Sequence, residues 1–144
     1  MWTHFYDMHS GGKKNLAWGH IYIEATEEVA IRIFRNAFGI RADDTSCECC
    51  GPDYSISQRT SLEQATGYDR NCRCIETPIL PNGRYDTSNP ALVDFWLEDG
   101  QDPPIGFRAS PSYSTRPWVS LSDYVKRDDV KVIYADQILP EWLT

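Results

Sequence analysis

Apolar and polar positions along the chain fall into two spacings. Thr3–Met8 sets Phe5 and Tyr6 among polar neighbours and predicts a first strand. His20–Ala25, built on Ile21, Tyr22 and Ile23, predicts a second. Gly11, Gly12, Lys13, Lys14 and Asn15 read as the turn that pairs the two as a hairpin. The spacing then becomes helical. Val29, Ala30, Ile33, Phe34 and Ala37 recur on one face, with Arg32, Arg35 and Asn36 between them. Thr26 stands at the N-cap, Glu27 and Glu28 suit the positive helix start, and Gly39 suits the stop, so a helix is predicted over Glu27–Phe38. Its apolar stripe reads as core, not as a cofactor box.

Later elements are shorter. Asp53–Ser57 alternates like a strand. Ser61 and Gln64 have capping-box spacing and predict a short helix over about Leu62–Asp69, which would deliver Cys72 and Cys74 toward the CECCG stretch at Cys47–Gly51. From Thr77 to Pro117, Pro, Gly, Ser and Asn predict long loops, with one or two short strands or a helical turn near Ala91–Leu97. Ser120 caps a short helix, and Asp129–Asp136 reads as a closing strand. The pattern predicts an α+β fold. A small antiparallel or mixed sheet is packed by one main helix, with a cysteine-rich, zinc-knuckle-like lobe at about 45–76 and a loop-rich region at about 77–117. No repeat and no linker divides the 144 residues, which predicts a single domain.

Composition narrows the function classes. The chain is long enough to bury a core, and its 41% hydrophobic and 24% charged residues are those of a globular protein. Five Trp, eight Tyr and five Phe supply rigid apolar surface. A net charge of −7 repels phosphate backbones, so direct groove binding to nucleic acid is disfavoured. A basic protein partner, or competition with nucleic acid for a basic cleft, fits that sign. The same charge also serves solubility. No run of about 20 apolar residues predicts a membrane span. The opening residues lack the basic head and apolar stretch of a signal peptide, which predicts a reducing, cytosolic setting.

In that setting an odd count of five cysteines argues against a disulfide frame. Cys47 and Cys50 form C-x-x-C followed by Gly51, the shape of a zinc knuckle, in which a tight turn aims two sulfurs at one ion. Cys72 and Cys74 supply a second group, giving a candidate Zn²⁺ site of Cys47, Cys50, Cys72 and Cys74, with Cys49 or His9 as alternative fourth ligand. The C-x-C of the second group departs from the C-x-x-C of a zinc ribbon. Ordinary free thiols, or a reactive cysteine, are the competing readings. A second constellation is His4, Asp7 and His9, which offers two imidazoles and a carboxylate for metal or acid–base chemistry. The plainer reading packs His4 beside Trp2 and Phe5 and leaves Asp7 and Ser10 to shape a turn. No P-loop, G-x-S-x-G or H-E-x-x-H motif is present.

The blocks MWTHFYDMHSGG, HIYIEA, CECCGPDYSIS, SLEQATGYDRNC and DDVKVIYADQI occur in that order. They resemble a group of small uncharacterised proteins of tailed bacteriophages that share YDMHSGG, C-x-C-C-G-x-D-Y-S-I and SLEQAT blocks. The resemblance covers about two thirds of the chain and leaves out Thr77–Pro117. It implies action in the cytoplasm of an infected bacterial host and no particular activity. It places the family cysteines on Cys47, Cys49, Cys50 and Cys72, with Cys74 additional, which favours Cys49 or a histidine such as His9 as fourth ligand.

Two functions follow as expectations. The first is an acidic accessory protein that binds and inhibits or redirects a host macromolecule, as an anti-defence or anti-CRISPR inhibitor does. Its contact residues would be Phe95, Trp96, Glu98, Asp99 and Asp102, aromatic anchors within an acidic rim. For that stretch the plainer reading is a solvated turn with the two rings folded inward. The second is a small metal-dependent hydrolase or nuclease using His4, Asp7 and His9. A nucleic-acid contact through Arg59, Arg70 and Arg73 is a third, opposed by the net charge.

Overall fold

A computed structural model of the protein describes residues 1–8, 15–44, 46–47, 51–76, 80–84, 86, 95–110 and 116–144. The fold is α+β, with a mixed sheet, two small antiparallel sheets and few helices. The chain divides into two compact units. One comprises Met1–Ala65 with Tyr124–Thr144, the other Thr66–Asp123.

In the first unit, β1 (Trp2–Asp7) pairs antiparallel with β2 (His20–Ile23), Thr3 opposite Ile23, as the hairpin reading expects. The turn residues Gly11–Lys14 lie outside the described residues. Helix α1 spans Glu27–Phe38, the range its apolar stripe predicts. Thr26 is extended at the N-cap but its hydroxyl makes no cap bond. The Glu27 N–H donates instead to Gln58 Oε1 at 2.6 Å, so a neighbouring strand satisfies the helix start. At the other end Gly39 takes the left-handed conformation, φ 74°, and its N–H closes onto the Arg35 carbonyl.

Two short strands, β3 (Ser46–Cys47) and β4 (Gly51–Pro52), pair antiparallel. Next, β5 (Tyr54–Arg59) joins the other side of β1, and β9 (Val130–Ile133) lies parallel to β2, giving the sheet order β5-β1-β2-β9. The Asp129–Asp136 reading is therefore trimmed to four residues. Phe5, Ile21 and Ile23 from the sheet meet Ala30, Ile33 and Phe34 of α1, with Tyr54 and Ile133 completing this core. Phe34 is its centre, 4.5 Å from the Phe5 ring and 5.2 Å from that of Tyr54. A 3₁₀ turn at Pro140–Leu143 packs on α1, where Asn36 Nδ2 donates to the Trp142 carbonyl at 2.8 Å. Helix α2 (Leu62–Ala65) begins with the Gln64 N–H donating to Ser61 Oγ, as its capping spacing predicts.

In the second unit, the helical reading that ran on to Asp69 gives way to turns. Gly67 has Trp96 stacked on its Cα, and an added Cβ would stand 2.3 Å from Trp96 Cγ. Strand β6 (Arg73–Glu76), not anticipated from its single buried apolar residue, is the centre of a three-stranded antiparallel sheet β7-β6-β8. Its edges, β7 (Trp96–Leu97) and β8 (Arg108–Ala109), are short strands of the kind expected, as the alternative to a helical turn, in this loop-rich stretch. Residues 91–94 lie outside the described residues. Helix α3 (Leu121–Tyr124) starts with the Asp123 N–H donating to Ser120 Oγ, the cap read from the sequence.

Arg70 is fully buried and organises this unit. Its Nε donates to Thr66 Oγ1 at 2.7 Å, one terminal nitrogen reaches the Val119 carbonyl, and the other pairs with Glu98 Oε1 at 3.5 Å. A surface patch of Arg59, Arg70 and Arg73 is thereby corrected, because Arg70 has no exposed surface to lend it. Among the described residues, no helix is long and apolar enough to cross a membrane.

Candidate functional site

Side chains alternate across β1 and β2, so the face opposite the α1 core carries His4, Tyr6, His20 and Tyr22. Register sets His4 opposite Tyr22 and Tyr6 opposite His20. The rings stack across the strands: His4 lies 4.2 Å from Tyr22 with planes 10° apart, and Tyr6 lies 4.8 Å from His20. Between the two stacks His4 Nε2 and His20 Nδ1 are 2.9 Å apart, a hydrogen bond in which one ring donates and the other accepts. Below them, the hydroxyls of Tyr22 and Tyr124, both fully buried, share a 2.8 Å hydrogen bond.

Burial lowers the His4 pKa to about 3, and the nearby His20 and Arg59 push it the same way. His4 is therefore a neutral imidazole at pH 7, the form that binds metal ions and accepts protons. The two histidines could hold a metal ion. Two nitrogens at tetrahedral Zn²⁺ stand about 3.3 Å apart, so the pair would have to open only slightly and give up its shared proton.

His4 does not meet Asp7. Three positions apart on a strand, they face opposite sides. Asp7 is buried on the core side and accepts the Asn15 backbone N–H at 3.1 Å, while Asn15 Nδ2 donates to the buried Asp53 at 2.9 Å. Beside these carboxylates the Tyr54 pKa rises to about 12, first through burial and then through Asp7. His9 lies outside the described residues. His20 takes the place beside His4 that the sequence reading gave to Asp7 and His9.

Of the cysteine set, Cys49, Cys50 and the Cys47 side chain lie outside the described residues. The Cys47 backbone pairs with Gly51, whose φ of 79° only glycine adopts readily. Cys72 and Cys74 are free thiols, and neither belongs to a group of three possible metal ligands among the described residues. Cys74 Sγ lies 3.0 Å from Ser110 Oγ. Burial raises the Cys72 pKa, against the pull of Arg70, so this thiol stays protonated and is a poor nucleophile.

The expected contact residues occupy β7 and the loop after it. Phe95 and Trp96 are half-buried, Trp96 lying on Gly67 and edge-on to Tyr68 at 5.9 Å. Glu98 pairs with Arg70, whereas Asp99 and Asp102 are exposed. Beyond them Ile105 is fully exposed, at 102%, on a turn closed by the Phe107 N–H and the Pro104 carbonyl. The sequence reading passed over Ile105, and nothing in the spacing of that loop separates an exposed apolar residue from a buried one. His20 and Tyr22 carried a signal. Once the hairpin is accepted, period-two alternation puts them on the face of His4 and Tyr6. No protein-family model matches the chain, and no curated protein or solved structure matches it.

Proposed function

We propose that the protein works by binding: it docks the loop 98–107 on a basic surface of another macromolecule and so inhibits or redirects it. Ile105 carries this reading. An isoleucine with all its surface in water contributes nothing to its own fold, and Pro103 and Pro104 hold it in place beforehand. Asp99 and Asp102 flank it with exposed negative charge, the arrangement that steers a loop onto a cationic cleft. Glu98 anchors the start of the loop on the buried Arg70. The chain's −7 charge suits a partner that otherwise binds nucleic acid. Together with the phage resemblance, this makes a host defence protein the proposed target, with an anti-CRISPR inhibitor as one specific form. The test compares affinity capture from bacterial lysate by the unaltered protein and by a D99K/D102K/I105S variant whose circular dichroism is unchanged. A partner retained by the first, lost by the second and displaced by nucleic acid supports the reading. Identical capture by both removes it.

A second reading rests on the His4–His20 pair. A metal held there would rebuild the hydrolase or nuclease alternative on His4 and His20 in place of His4, Asp7 and His9. Titration with Zn²⁺ or Mn²⁺, followed by calorimetry, should then show binding that is lost in His20→Ala. Equal heats from both proteins end this reading. A separate structural Zn²⁺ on the Cys47 and Cys50 thiols draws support from the β3–β4 pairing and the left-handed Gly51. Mass spectrometry of untagged protein would find about one zinc per chain and none in Cys50→Ser.

A further inference from the structure

Tyr68, in the second unit, is the most exposed aromatic residue among those described, with 74% of its surface in water. One exposed ring is ordinary on a protein surface. This one differs in being fixed. Its backbone lies in a run of turns closed by three hydrogen bonds. The Arg70 N–H donates to the Thr66 carbonyl at 3.0 Å, the Asn71 N–H to that of Tyr68 at 3.2 Å, and the Cys72 N–H to that of Gly67 at 2.9 Å. Its ring meets Trp96 at 70° between planes. Trp96 in turn lies on Gly67, where the missing Cβ leaves it room. Tyr68 is thus held through its backbone and from one side, and still stands in water.

Asp99 is held in the same manner. It is exposed, on a turn closed twice between its neighbours: the Gln101 N–H donates to the Glu98 carbonyl at 2.9 Å, and the Glu98 N–H donates to Gln101 Oε1 at 3.1 Å. Gly100 supplies the positive φ, 82°, within that turn. The two turns are joined through Trp96 on Gly67 and through the ion pair of Glu98 with the buried Arg70. An exposed ring and an exposed carboxylate are therefore braced against one another's supports. Aromatic rings fixed beforehand are the side chains on which interfaces concentrate their affinity, because docking immobilises little.

We infer that Tyr68 receives an arginine side chain from a basic protein surface, an inference that rests on the reading of this protein as a binder of such a surface. A guanidinium is flat and weakly hydrated, so it lies readily on the negative face of a tyrosine ring. The exposed Asp99 adds charge of the opposite sign. An ammonium is compact and strongly hydrated, and gains less from the same ring. The net charge of −7 disfavours an anionic occupant, and equally a second copy of this acidic chain.

The experiment needs no natural partner. The full chain is titrated with fluorescein-labelled nona-arginine and nona-lysine peptides, followed by anisotropy at physiological salt. The peptides carry equal charge, so attraction to the acidic surface is common to both. Nona-arginine should bind the more tightly. Tyr68→Leu, which keeps an apolar side chain without a ring, should weaken nona-arginine about two- to fivefold and leave nona-lysine nearly unchanged. Tyr68→Phe keeps the ring face and should bind nona-arginine as the unaltered protein does. Unchanged circular dichroism accompanies both variants, since the side chain is exposed. The proposal is overturned if nona-arginine fails to bind, if the two peptides bind equally, if Tyr68→Leu binds as tightly as the unaltered protein, or if Tyr68→Phe is as weak as Tyr68→Leu. Tyr68→Leu leaves the loop 98–107 and its charges in place, so this test and the lysate capture fail separately.

Discussion

Phe34 and Arg70 are both fully buried, one near the centre of each unit, and they hold their surroundings by different physics. Phe34 works by contact. Rings and branched chains from β1, β2, β5 and α1 close around it, and no geometry finer than packing is needed. Arg70 works by direction. Its guanidinium must find Thr66, Val119 and Glu98 at once, so segments far apart in sequence are fixed at stated angles. The first unit can thus be built from apolar periodicity. The second is short of apolar residues and builds its order from one desolvated cation.

The contrast can be broken by mutation, and the largest effect should come from the apolar centre. Phe34→Ala should cost about 3–5 kcal/mol in urea unfolding, with amide protection lost first across β1, β2 and α1. Equal loss in both units would mean that they unfold as one. Arg70→Met keeps volume but removes the directed bonds. Because Glu98 remains about a third exposed, at 35%, its stranded charge is partly solvated and the cost should be about 2–3 kcal/mol. Hydrogen exchange should confine that loss to Thr66–Asp123.

Gly67→Ala drives a methyl into Trp96 and should cost about 1–3 kcal/mol, seen as a shifted tryptophan emission. A normal spectrum would mean that the Trp96 ring gives way easily. At neutral pH the smallest change is that of His4, whose effect appears only as the pH falls. Its folded pKa, about 3, lies below the ordinary imidazole value of 6.5, so the unfolded chain takes up the proton first. Stability from this group is complete above pH 6.5 and falls as the pH drops toward 3, by at most about 1.4 kcal/mol per pH unit. Between pH 6.5 and 5, above the carboxylate range, His4→Gln should flatten the slope of the unaltered protein. Parallel slopes would place the loss elsewhere.

The same contrast explains what could be read from the chain. Helix α1, the β1–β2 hairpin and both serine caps were visible because each depends on neighbours in sequence: a 3.6-residue stripe, an alternation, a hydroxyl three residues before its amide. The pairing of β9 with β2 was not, since no local pattern chooses between parallel and antiparallel edges. Strand β6 escaped because Arg73-Cys74-Ile75-Glu76 carries no run of branched or aromatic residues, and its partners lie some twenty to thirty-five positions away. In the candidate site, His4 was visible and His20 was not singled out, because their meeting requires the strand register as well as the strands. Arg70 looked like surface charge, as almost every arginine does until its partners are placed.

The parallel pairing of β2 with β9 also sets a timetable. His20 and Val130 are partners across about 110 residues of chain. At roughly 5–20 residues per second of synthesis, β2 waits about 5–20 s for the strand that covers its edge. Throughout that interval Thr66–Asp123, being one uninterrupted stretch, can close on itself, while the hairpin of β1 and β2 presents bare backbone groups to every other nascent chain nearby. A slow ribosome would therefore be a hazard to the unit with the better core, and the last-made strand is its protection.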